Sequence, residues 1–600
     1  MKRAVPFGLA ALLVAAVVAA YLPALRAGFV WNDDTYLTNN RTLDGGAGLH
    51  AIWADPRANE QYYPLVFSSF WVEKRLWGLR PLGYHLVNVL LHAASALLLW
   101  RLLRRLAAPG AWFGAALFAL HPVCVESVAW VTERKNTLSL LLSLLAALAY
   151  LAWSERRAAV AGGSARRDHA PDLLPWYRRP GALYAGALAL FALALLAKTT
   201  AALLPAVLLV LAWWRAGRLR GANVRPLVPF FAIGAALALN TAWLETTVVR
   251  ASGSEWSLSP AGHLVLAGRA VAFYAGKLLW PTDLAFIYPR WTIDAAAVRQ
   301  WPPVLAVLAV LAAAWALRRK LGRGPLAAVL LFGGVLVPAL GFFNVYAMRY
   351  SWVADHFAYQ AVAVGAACVA AAVATLAGPS LARRRAAAAA GVAVLAAFGT
   401  LTFRHAEEFA SAETLWRATL ARNPGCFMCH TNYGFLLYRQ GRVADAIDHF
   451  RASLRLKPDN VPALLNLAKV DEDRGRLDEA ASELRQALAV DPADPTVLVN
   501  LGTVCTKAGR YEDAIGAYRD ALRHPSPDDY LAHNGLGVAL IRQGRRTEAV
   551  EEFREALRLK PDYWMARANL ERALAAPPAA GTGGGGPGGR SRPLDPVGGG

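Results

Sequence analysis

Two adjacent carboxylates, Asp33 and Asp34, stand in the stretch Phe29-Val30-Trp31-Asn32-Asp33-Asp34, directly after an apolar run about one bilayer long. Charges so close to hydrocarbon are costly and usually have a partner or a task. The plain alternative is a solvated loop start, since Asn and Asp form turns readily. A carboxylate at the membrane interface can take a proton from a hydroxyl. Cationic side chains beside it can stabilise a phosphate leaving group. Further ionisable residues recur at the ends of later apolar runs: His121 and Glu126 in HPVCVE, Glu133-Arg134-Lys135-Asn136, Lys198-Thr199-Thr200, Arg349, and Asp355-His356. A lipid phosphate presents its head group at this depth, so the set fits group transfer from a lipid phosphate to an acceptor hydroxyl. Each residue also has a structural reading. His121 before Pro122 can simply end a helix. Arg134 and Lys135 can snorkel as interface anchors. Glu126 can pair with Arg134, and Asp355-His356 can cap a helix.

The elements that must position these residues follow from the apolar pattern. The chain has 600 residues, 56% of them hydrophobic and 18% charged, and its mean hydropathy is positive at +0.31. This is too apolar for a soluble protein of that length. The formal charge of +21 does not indicate nucleic acid, because the basic residues lie in short loops between apolar runs. Met1-Lys2-Arg3 precedes a run from about 5 to 25, read as a first membrane span rather than a cleaved signal. Residues 26–83 form an outer loop, within which Tyr62 to Trp77 is amphipathic and suits an interfacial helix. Further spans are expected near 84–103, 111–131, 137–153, 182–197, 201–214, 226–247, 302–317, 325–343, 357–377 and 386–403. Arginine-rich clusters at 101–105, 156–179, 215–225, 318–323 and 383–385 then share one face with the N-terminus, the cytoplasmic face by the positive-inside rule. His263 to Trp280 carries Arg269 and Lys277 and is placed as an interfacial or re-entrant helix, which leaves eleven spans and puts the C-terminal part outside the cytoplasm.

The expected fold is all-α: a polytopic membrane bundle over 1–403, then an α-solenoid over 405–575. Pro424, Pro458, Pro492, Pro527 and Pro561 recur about every 34 residues, with Gly441, Gly475, Gly509, Gly544 and Ala446, Ala480, Ala514, Ala549 in step. That is the tetratricopeptide period. Repeats fall at 426–459, 460–493, 494–528 and 529–562, with 407–425 as the last helix of a degenerate repeat and 563–575 as a cap. Such stacks bind peptide or protein on a concave face. Residues 576–600 are Gly- and Pro-rich and expected to be disordered. Cys426-Phe427-Met428-Cys429-His430 also reads as C-x-x-C-H, the c-type haem attachment pattern. Its position in a repeat helix favours plain packing residues, with haem and a redox-active or structural Cys426–Cys429 disulfide as comparable alternatives.

Across about residues 1–575 the chain resembles the transmembrane-and-tetratricopeptide-repeat family. The matching text is FVWNDDTYLTNN, then YYPLVFSSFWVEKRLWGLRPLGYHLVNVLLH, then HPVCVESVAWVTERKN, then the repeats. Animal members are O-mannosyltransferases of the endoplasmic reticulum with the type C glycosyltransferase fold (GT-C). The resemblance implies an inverting transfer of a mannose-like sugar from a polyprenyl-phosphate donor to a protein or glycan hydroxyl. It implies Asp33 or Asp34 as catalytic base, and Arg134, Lys135, Lys198 and Arg349 as candidates for the donor phosphate. His121 and Glu126 become candidates for acceptor or divalent-metal contacts, and Asp355 and His356 for acceptor or accessory contacts. Cys124 stands where members often carry a second His, and Lys198-Thr199 where they often carry Lys-Glu. The Ala- and Arg-rich text suggests a bacterial inner membrane protein with its repeats periplasmic. The alternative function is a non-catalytic scaffold that recruits partners through the repeats.

Overall fold

A computed structural model describes residues 6–161, 179–249, 251, 253 and 256–575. Among these no strand occurs, and the chain divides into two compact units, Met1–Pro424 and Gly425–Gly600. Lys2, Arg3, Arg166, Arg167, Arg178 and the Gly/Pro-rich tail lie outside the described residues.

Among the described residues of the first unit, eight helices are long and apolar enough to cross a membrane: Pro81–Arg105, Val131–Ala159, Pro180–Ala197, Thr199–Ala216, Gly221–Thr247, Pro302–Arg319, Asp355–Ala377 and Leu381–Glu408. Ala111–Ala119 and Pro122–Ala129 form a ninth if counted as one span bent by 52°, and Phe7–Ala20 and Gly324–Ala339 are shorter apolar helices. These fall on the eleven positions expected from sequence. Pro260–Leu279 is a helix, but it is not among those apolar enough to span. Several of these helices open on proline, among them those starting at Pro81, Pro180, Pro260 and Pro302. Proline suits the first turn because its missing N–H would have no intrahelical partner there. Helix Pro302–Ala316 buries no residue, as expected where lipid is the solvent. Polar ties hold the interior instead. His92 joins the Tyr359 hydroxyl at 2.8 Å and the Ala119 carbonyl at 3.0 Å, and the Ser139 hydroxyl donates to the Ala194 carbonyl.

The outer loop is not extended. It folds into Gly45–Ala54 and Pro64–Trp77, and the buried faces of Val66, Phe67 and Phe70 pack with Tyr36, Leu37 and Tyr84. Helix Ala412–Arg422, read from sequence as the end of a degenerate repeat, belongs to this unit: its Trp416 ring lies 5.1 Å from that of Trp31.

The second unit is a run of helix pairs, Phe427–Arg439 with Val443–Leu456, Val461–Asp473 with Leu477–Val490, Pro495–Lys507 with Tyr511–Leu522, and Asp529–Arg542 with Arg546–Leu559, closed by Trp564–Ala575. Gly441, Gly475, Gly509 and Gly544 all take positive φ between the paired helices, a conformation that favours glycine. Ala446, Ala480, Ala514 and Ala549 are fully buried, which is why a larger side chain does not recur there.

Candidate functional site

The aspartate doublet sits on a strained turn. Trp31 has φ +48, a backbone state that costs on the order of 1–3 kcal/mol for a bulky residue and persists only where packing imposes it. Its ring is wedged among Trp416, Phe286 and Trp130 at 5.1, 5.2 and 6.5 Å. Asp33 is fully buried. Its Oδ2 accepts the Val30 N–H at 2.9 Å, and its Oδ1 accepts the Thr132 N–H at 2.9 Å and the Thr132 hydroxyl at 2.6 Å. Burial pushes the Asp33 carboxyl up to about 6 even though these three bonds pull it down. Asp34, one residue on, is exposed, and its Oδ1 accepts the Thr35 N–H at 2.7 Å. The doublet therefore divides: Asp33 ties the turn to the start of the span at Val131, and Asp34 faces outward.

Arg134 and Lys135 diverge in the same way. Arg134 is fully buried, ion-paired to Glu73, and donates to Asn88 Oδ1 at 2.8 Å, the Ser69 hydroxyl at 3.2 Å and the Tyr84 carbonyl at 2.7 Å. It is an internal clasp between the loop helix Pro64–Trp77 and the bundle. That placement corrects the sequence expectation that Arg134 meets a donor phosphate, and the suggested Glu126–Arg134 pair does not form. Lys135 instead joins Glu133 at 2.9 Å, and Lys198 reaches the other Glu133 oxygen at 3.5 Å. Asn136 bridges them, donating to Glu133 at 2.8 Å and accepting from Lys198 at 2.8 Å. Burial and the Lys135 charge draw the Lys198 ammonium down to about 8, with Glu133 opposing. Two cations thus share one carboxylate, and Glu245 acts on both from farther off.

The network continues outward. Lys135 contacts Gln61 Oε1 at 3.5 Å; Gln61 also takes the Tyr36 hydroxyl at 2.8 Å and donates to Glu245 at 3.2 Å. Glu245 accepts the Tyr346 N–H at 3.1 Å, which brings in the short helix Tyr346–Arg349 and with it half-buried Arg349. Glu60 lines a narrow cleft with Gln61, Tyr63, Thr241 and Glu245, and its carboxyl is raised by burial, lowered by Lys135 and raised by Asp34.

On the far side of Asn136, whose amide donates to the His356 carbonyl at 2.9 Å, His356 pairs with Glu126. Asp355 is buried and accepts the Tyr288 hydroxyl at 2.9 Å. His121 is not open to an acceptor: its Nδ1 takes the Val123 N–H at 3.3 Å, its Nε2 lies 3.0 Å from the Leu278 carbonyl, and it is 1% exposed. It caps the turn at Pro122. Among the described residues no three His, Cys, Asp or Glu side chains gather as a metal-binding group. Sequence reasoning noted Glu133 and Asn136 only as part of the Glu133–Asn136 motif, without a role, and did not single out Gln61 or Glu245. Glu245 had a readable signal, an acid inside an apolar run; Gln61 had none.

The opposite ends of the helices meet around arginine. Arg105 pairs with Glu155 at 2.7 Å, Arg215 approaches the same carboxylate at 3.8 Å, and Arg323 donates to the Trp213 carbonyl at 3.3 Å. Thus the mixed acid–base cluster occupies one end of the bundle and the arginine loops the other.

In the second unit Cys426 and Cys429 are joined in a disulfide. Neither sulfur is then available for a thioether link to haem. His430 Nδ1 lies 2.8 Å from His449 Nδ1 rather than at an axial position.

Comparison with known proteins agrees with these elements. Tetratricopeptide repeat family models match residues 401–461, 437–499 and 506–563. The chain is 36% identical over 159 residues to Protein O-mannosyl-transferase TMTC1 of Mus musculus, covering 24% of this chain and 17% of that protein. It is 35% identical over 141 residues to Protein O-mannosyl-transferase Tmtc1 of Drosophila melanogaster, covering 22% and 16%. Among solved structures, the MamA protein superposes with a TM-score of 0.23 at 22% identity over 25% of this chain and 80% of that one. The chain spans less than a fifth of the length of these curated relatives. It is an all-helical protein with apolar spans and tetratricopeptide repeats, similar over about a quarter of its length to proteins named protein O-mannosyl-transferases.

Proposed function

We propose that the first unit is a GT-C-like glycosyltransferase that moves a mannose-like sugar from a polyprenyl-phosphate donor to a hydroxyl of a protein or glycan. Asp34 is the general base. Lys135 and Lys198 meet the donor phosphate, with Arg349 on the adjoining segment. An exposed carboxylate on the attacking side suits inversion at the anomeric carbon. The repeats bind the acceptor or a partner. The site end faces away from the cytoplasm, across a bacterial inner membrane. The observation that carries this reading is the joining of the Asp34 turn, through Thr132, to a helix start where two lysines share one glutamate. An interfacial phosphate there would meet two ammonium groups beside a base.

The test uses the full-length protein in proteoliposomes with short-chain polyprenyl-phosphate mannose and Ser/Thr peptides. Wild type transfers mannose, and Asp34→Asn lowers the rate by roughly 10²–10⁴-fold with donor binding retained. Absence of transfer by wild type from any polyprenyl-phosphate hexose would leave the repeats as the functional part and favour the scaffold.

A further inference from the structure

Glu126 and His356 are arranged more tightly than an ordinary ion pair requires. Glu126 is 2% exposed and takes two hydrogen bonds from one residue, the His356 N–H at 2.9 Å and Nδ1 at 2.8 Å. One carboxylate thus fixes both the start of Asp355–Ala377 and the ring, with Nδ1 as donor. Nε2 is the remaining edge, and no described residue hydrogen-bonds to it.

The neighbouring side chain is unsatisfied as well. Trp130 lies edge-on to the His356 ring at 5.9 Å and is 6% exposed, yet its indole Nε1–H has no hydrogen-bond partner among the described residues. A buried indole N–H ordinarily finds an acceptor. The Lys135 ammonium stands 6.0 Å from the same ring. Asn136 binds the His356 carbonyl and also receives Lys198, so one side chain joins this histidine to the lysine pair. Two unpartnered nitrogens beside two cations suit a ligand with several acceptor oxygens.

We infer that His356 is the general acid of the transfer, Glu126 its positioning residue, and Trp130 a hydrogen-bond donor to the same phosphate; the inference rests on the sugar-transfer reading above. The acceptor oxygen forms its bond to the anomeric carbon and loses its proton to Asp34. The bond from that carbon to the phosphate oxygen breaks, and its electron pair stays on the oxygen. His356 gives its Nε2 proton to the departing phosphate. One proton is taken up and one released, so no other reactant is needed. Among the described residues, Glu126 hydrogen-bonds His356 and Glu133 acts on it electrostatically.

The experiment is steady-state transfer by the full-length protein from short-chain polyprenyl-phosphate mannose, as a function of pH. His356→Asn keeps a side-chain donor for Glu126 but has no proton to give. It should lower kcat about 100-fold, leave the donor KM within about threefold, and abolish the alkaline limb of the wild-type pH profile. Glu126→Gln should lower kcat less and move that limb, and Trp130→Phe should weaken binding of short-chain polyprenyl phosphate about tenfold. Should His356→Asn fail to fold, the shifted limb in Glu126→Gln decides. If wild type is active and the alkaline limb survives in both variants, the inference is overturned and the sugar-transfer reading stands. If wild type transfers nothing, both fall.

Discussion

At the residue scale, two neighbours of the same type have opposite environments. Asp33 is enclosed by three donors, whereas Asp34 is exposed. Asp33→Asn leaves one carboxylate oxygen replaced by an amide that cannot accept, so a buried N–H loses its partner. The expected cost is about 1–3 kcal/mol, read as a lower thermal midpoint in detergent, while Asp34→Asn should leave that midpoint nearly unchanged. The pH dependence follows from the raised Asp33 carboxyl. Its folded value of about 6 exceeds the ordinary 3.8, so the folded state holds the proton more tightly than the unfolded chain does. This group's contribution is therefore most favourable below about 3.8 and is lost as pH rises through about 6, by an amount of order 3 kcal/mol. Melting wild type and Asp33→Asn from pH 4 to 7 should show wild type losing stability relative to the variant as pH rises.

At the element scale, Arg134 decides how the outer loop is held. It ion-pairs with Glu73 from within a shell of Asn88, Ser69 and Tyr84, and its guanidinium lies 4.7 Å from the Phe70 ring. Removing Glu73 leaves a buried, uncompensated cation. Glu73→Ala should cost about 3–5 kcal/mol, seen as rapid proteolysis within residues 45–80, while Glu73→Ala combined with Arg134→Met should recover much of it. In the repeats, close packing has a different origin. A Cβ at Gly535 would run into the Tyr518 ring, so Gly535→Ala should destabilise the repeat stack by about 1–3 kcal/mol, measured as an earlier unfolding transition of the full chain.

At the scale of the whole molecule, the separation of charge between the two ends of the bundle is the organising feature. The end with Asp34, Lys135, Lys198 and His356 mixes acids, bases and aromatics; the other pairs Arg105 and Arg215 around Glu155. Single cysteines at 34 and 60 should label from one side of sealed vesicles and those at 105 and 215 only from the other; a common side would break the assignment of spans. The disulfide gives a second check. Denatured but unreduced protein should show three reactive thiols, Cys124, Cys368 and Cys505, rising to five on reduction, with no haem absorbance.

The spans and the repeats were legible in sequence because both rest on periodic composition: runs of apolar residues set by bilayer thickness, and glycine and alanine recurring where a tight turn and close helix packing need them. That Asp34, Lys135, Lys198 and His356 share one end was legible too, since loop charge separates the faces, whereas Gln61 and Glu245 were not singled out. The orientation of each side chain was not. Asp33 and Asp34, or Arg134 and Lys135, are indistinguishable in a string of letters. They are told apart by which one reaches Thr132 or Glu73, residues 99 and 61 positions away. Burial and partnership arise from contacts between distant segments, and only the folded chain sets these.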